Sequence, residues 1–165
     1  MSKLPWIAFL AGLMIAGQAL ADPSAGDRAF ATAAAQSGLA EVQEGQMAAQ
    51  KAVSAQIRQF GQRMVADHGQ ANQDLQQIAQ QENFDLPTQP SARETAEDHR
   101  LSGMIGSDFD RAYIQHAMTE HMQAVVVFRR EAQSGRDPAL KDFARKYLPV
   151  IQRHLQLAQS LSGPQ

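Results

Sequence analysis

The chain has 165 residues, no cysteine, and a formal net charge of −2 from 15 basic and 17 acidic side chains. That composition excludes a disulfide framework, a lipid-attachment cysteine and a cysteine nucleophile, and the scattered Lys and Arg speak against binding nucleic acid. It is rich in Ala, Gln and Met, only 6% aromatic, and poor in β-branched residues after the first segment, which favours helix over sheet.

The first 21 residues read MSKLPWIAFLAGLMIAGQALA. One Lys precedes an apolar run that ends in Ala19-Leu20-Ala21, a small-x-small cleavage signature. Residues 1–21 are therefore expected to be a cleavable signal peptide. The mature product is then a periplasmic protein with a single domain over 22–165 and no membrane span. Gly12, Gly17 and Gln18 weaken the alternative reading of this run as an anchor.

Four long segments with helical periodicity follow. The first runs from about Asp27 to Gln50 and turns Phe30, Ala34, Ala35, Leu39, Val42 and Ala49 to one face. A break at Lys51-Ala52-Val53 leads to Ser54, an N-cap for the second, which carries Ile57, Phe60, Met64, Ala71, Leu75 and Ile78 to near Asn83. The third starts near Ser107 and stops at Gln133-Ser134-Gly135. Asp137-Pro138 opens the fourth as N-cap and first helical residue. Its stripe stays in phase past Pro149, so a kink rather than a stop is expected there.

The short links predict two antiparallel hairpins. Between them lies a connection from Asn83 to Gly106, in which Ser91-Ala92-Arg93-Glu94 is a capping box for a short extra helix. A connection that long can run the length of the molecule and leave the second and third long helices parallel, as in ferritin-like folds. The alternative is an ornament on an up-down-up-down arrangement. The first reading is preferred.

One phrase is written twice: "DHGQA" at Asp67–Ala71 and "EHMQA" at Glu120–Ala124. Helical phase puts His68, His121 and His154 on apolar stripes, and Glu41 on a stripe of small residues (Ala34, Gly38, Gly45, Ala48). All four fall near mid-height of their helices. A polar layer with one residue from each helix follows, with His68, His121, His154 and Glu41 as candidate metal ligands. Neighbours on a helix point about 100° apart, so Asp67 and Glu120 reach sideways to orient imidazoles on other helices. Histidine and carboxylate suit zinc, iron or copper; Met64, Met118 and Met122 nearby would add a copper(I) preference, although methionine is also ordinary core filler. His99 is expected in solvent, and His116 is not assigned to the layer.

The blocks "MVADHGQAN", "FDRAY", "EHMQAVVVFRREAQSGRDPALKDFA" and "LPVIQRHLQLAQ" resemble bacterial proteins described as domain of unknown function 4142. The resemblance spans about Phe30 to Gln159 and implies an exported, ferritin-like four-helix protein with no activity attached. Di-iron members of the wider ferritin-like group use Glu-x-x-His pairs. Here the residues three before the five histidines are Val65, Ala96, Tyr113, Met118 and Ile151, so that centre is absent. Neither a phosphate loop nor a Gly-x-Ser-x-Gly elbow is present.

Two readings of function remain open on sequence. In one, the layer binds a metal. In the other, it is a buried hydrogen-bonded network that only specifies helix register, in a structural or envelope-stress interaction module. The protein partner and the oligomeric state, a homo-oligomer included, are left open by the residues.

Overall fold

The computed structural model describes residues 23–163, and the segment expected to be a signal peptide lies outside the described residues. Among them are five α-helices and no strand: α1 (Ala25–Lys51), α2 (Ala55–Gln81), α3 (Ala92–Ser102), α4 (Gly106–Ser134) and α5 (Pro138–Leu161). None of these is long and apolar enough to cross a membrane.

The helix ends follow local chemistry. Ser24 accepts from the Asp27 amide and Asp27 returns the bond to the Ser24 amide, so α1 begins two residues before its expected start. Ser54, Ser91 and Asp137 cap α2, α3 and α5 in the same way, each accepting from the amide three residues on. At the end of α2, Asn83 takes φ 55° and the Phe84 amide bonds back to Ala79, a Schellman stop. Pro149 sits inside α5, which continues to Leu161.

Four long helices pack in the cyclic order α1, α2, α5, α4, with α3 laid against α1 and α4. Asp67 meets His154 and Asp74 meets Tyr147, so α2 and α5 are antiparallel. Phe30 packs on Phe128 and Glu41 lies beside His121, so α1 and α4 are antiparallel too. Because each hairpin also reverses direction, α2 and α4 run the same way. The connection therefore climbs the full length of the molecule. At its upper end Lys51 Nζ donates to the carbonyls of Leu101 and Ser102. Asp110, on α4, accepts from the Val53 and Ser54 amides of the α1–α2 turn.

Small residues bring α1 and α2 together. A Cβ on Gly61 would lie 2.6 Å from the Gly45 carbonyl oxygen, and one on Gly45 would lie 2.8 Å from that of Gly61. The apolar core is split into two clusters. The upper holds Phe60, Met64, Phe109, Tyr113 and Ile114; the lower holds Phe30, Leu75, Phe128, Phe143 and Ile151. Between them lies a polar layer.

Candidate metal centre

That layer is built from histidines on three helices of the ring, with a carboxylate from the fourth. His68 on α2, His121 on α4 and His154 on α5 turn inward at mid-height, with exposures of 8%, 0% and 0%. Their rings form a nearly equilateral triangle, with centroids 5.6, 5.2 and 5.4 Å apart. One ring nitrogen from each lies within 4.8 Å of the others, and no other His, Asp or Glu among the described residues completes this group.

Each ring is held by its other nitrogen. His68 Nδ1 lies 2.9 Å from Glu41 Oε2, His154 Nε2 lies 2.8 Å from Asp67 Oδ2, and His121 Nδ1 lies 2.8 Å from the Ala117 carbonyl oxygen. In each case the nitrogen donates its proton; on the His121 and His154 rings, which burial keeps neutral, this fixes the tautomer and leaves the opposite nitrogen with a free lone pair. Those opposite atoms (His68 Nε2, His121 Nε2 and His154 Nδ1) are buried and have no hydrogen-bond partner. Three buried ring nitrogens without a partner, with Glu41 Oε1 unpartnered in the same layer, depart from the usual rule that buried polar groups are paired.

Electrostatics around the triad are strongly biased. Burial pushes the Glu41 carboxyl up, but attraction from His68 and His121 and the bond from His68 outweigh it and hold Glu41 at about 2. Burial drives His68 down, and the charge and hydrogen bond of Glu41 more than reverse that, so His68 titrates above its usual value. His121 is lowered by burial, and His154 is lowered to about 4 by burial and by the nearby His68. Two of the three imidazoles are thus neutral bases at ordinary pH.

Of the six residues expected in or around the site, the three histidines converge. Glu41 stands behind the rings, on the Nδ1 side of His68 and 3.5 Å from His121 Nδ1, outside the group of converging nitrogens. Asp67 reaches across to His154. Glu120 turns away from the triad: both its oxygens accept from the Arg93 guanidinium on α3, each at 2.9 Å. Met122 is exposed, and Met64 and Met118 pack with the upper apolar cluster.

Two features are not readable from sequence in the same way. The Ala117 carbonyl, one turn before His121, orients that ring without any side-chain signature. His116 lies off the triad in a second polar cluster, with Nε2 2.9 Å from Glu44 and Nδ1 3.5 Å from Glu97. Glu44 follows Glu41 by three residues, the spacing of one helical face, and that is the available signal.

A family model described as a domain of unknown function (DUF4142) matches residues 14–161. No curated protein and no solved structure matches the chain.

Proposed function

The chain belongs to the family of the domain of unknown function DUF4142, whose description names no activity, and we propose that it is an exported, ferritin-like four-helix protein that binds one transition-metal ion on His68 Nε2, His121 Nε2 and His154 Nδ1. The observation that carries this reading is the triangle of three buried rings, each with one nitrogen tied down and the other buried without a partner, and with one nitrogen of each within 4.8 Å of the others. A network that existed only to set helix register would leave those nitrogens paired.

The donors fit the group. A tetrahedral ion with bonds of about 2.0–2.1 Å needs nitrogens roughly 3.3 Å apart, so contraction by about 1.5 Å from the 4.8 Å limit brings them to bonding distance. An ion takes the position of a proton on His68 Nε2, and the carboxylates of Glu41 and Asp67 offset a divalent charge. The pattern of imidazole backed by carboxylate or carbonyl is how metal-binding histidines are ordinarily oriented and made more basic. Three nitrogen donors suit zinc, copper or iron. The apolar run from Leu4 to Ala21 supports export.

Metal analysis of protein exported natively and purified without chelator tests this. One equivalent of a single metal is expected, together with a rise in melting temperature when that metal is restored to chelator-treated protein. The double variant His68→Ala/His121→Ala is expected to lose the metal while keeping its helical circular dichroism. Metal-free wild-type protein that takes up none of zinc, copper or iron on titration overturns the proposal.

A further inference from the structure

Three histidines leave a tetrahedral ion one ligand short, and zinc sites of that kind keep the last position for water or substrate. What the protein places beside the triad then decides what that ligand is. A cavity of about 30 Å³ lies one turn below the rings and is bordered by His68 and His154. Its walls are mainly apolar, with Ala71, Ala124, Phe128 and Ile151 among them. The space exists because positions on three helices are alanine where neighbouring core positions carry Phe, Leu or Ile. A volume of that size has room for about two waters.

We propose that this cavity serves the open coordination position of the bound ion and admits an exchangeable ligand of two or three heavy atoms, while excluding rings and larger groups. The inference rests on the metal-binding reading and adds the class of ligand to it. Besides the metal, the uncharged polar groups on its walls are Ser37, Asn72 and Tyr147, whose hydroxyl already donates to Asp74, so a small ligand that enters finds its charged partner in the metal. Glu41 and Asp67, at the edge of the same cavity, each have one oxygen engaged with a ring nitrogen.

The experiment uses wild-type protein loaded with cobalt(II), whose visible spectrum reports its coordination, with bound cobalt measured separately by equilibrium dialysis. Azide, a three-atom anion, is expected to shift the spectrum saturably at one equivalent, and imidazole is expected to leave it unchanged. Ala124→Leu, which fills the cavity, should keep its cobalt and bind azide at least tenfold more weakly. Ala71→Val, a smaller intrusion, gives the same test if the leucine variant does not fold. An unchanged spectrum with azide on stoichiometrically loaded protein overturns the ligand proposal and leaves the metal site standing. So does an equal response to imidazole, or a filled-cavity variant that behaves as wild type. Failure to take up cobalt at all brings down both readings.

Discussion

A buried imidazole has two nitrogens to satisfy, and in this triad one of each pair is matched to an acceptor of different strength. Asp67 supplies a charged acceptor to His154, Glu41 supplies one to His68, and Ala117 offers only a peptide carbonyl to His121. Replacing Asp67 by Asn removes the charge and keeps the shape, so metal affinity should fall about 10–100-fold while the stoichiometry stays at one. Glu120→Gln should leave affinity unchanged, because its carboxylate is bound to Arg93 and not to any ring; competition titration against a chelator of known affinity measures both. The two acids look alike in the repeated phrase. What separates them is the neighbour each meets: α5 beside Asp67, and α3 beside Glu120. Helical phase shows which way a side chain points along its own helix, and for His68, His121 and His154 that is enough. It does not show the sideways offset of the next helix, which is why Glu41 reads as a ligand in sequence and stands behind the rings in space.

Helix α1 meets α2 through glycine, and the fit is tight where the backbones touch. A Cβ at Gly61 would come within 2.9 Å of Ala48 Cβ and of the Ala49 amide as well as the Gly45 carbonyl, and none of these is a flexible tip. Gly61→Ala should therefore destabilise the protein by about 1–3 kcal/mol despite the better helix propensity of alanine. At Gly69, on the same helix, an added methyl would meet nothing within 4 Å. There the same change should stabilise by up to about 1 kcal/mol, and urea denaturation of the two variants gives opposite signs. The stripe of small residues on α1 is visible in sequence at Gly38, Gly45 and Ala48. Its partner Gly61 carries no such mark, because glycine in one helix gives no sign of which glycine faces it. The helices themselves are readable from periodicity and caps; the expected start of α1 falls late because the Ser24 to Asp27 capping box precedes the apolar stripe.

For the whole molecule, the lower end joins the hairpins through acids, and this sets a pH dependence. Glu131 is pushed up to about 7 by burial and by its hydrogen bond with, and the charge of, Asp27. It binds its proton more tightly folded than unfolded, where 4.5 is ordinary, so its contribution is complete below about pH 4.5 and is lost as pH rises through 7. Asp27 runs the other way. Burial raises it, but bonds from Ser24 and the Arg136 amide prevail and hold it at about 2, so its contribution is present above 3.8 and lost only toward 2. Between pH 5 and 7.5, with Asp137 and Lys141 also facing Glu131, the stability Glu131 supplies should decline as pH rises, while the lowered His121 and His154 supply the opposite slope below pH 6.5. Glu131→Gln should flatten that decline in denaturation series at the two pH values; a slope as steep as wild type would contradict the assignment. Burial moves Glu44 in the same direction, so part of the slope should survive. The triad has a consequence at this scale as well. One of its histidines belongs to the first hairpin and two to the second, so an ion held there fastens the two halves across the long connection. In a chain without cysteine, such an ion would be a cross-link made and unmade by metal supply, needing no oxidant to form and, unlike a disulfide, stabilising the folded state by binding it alone.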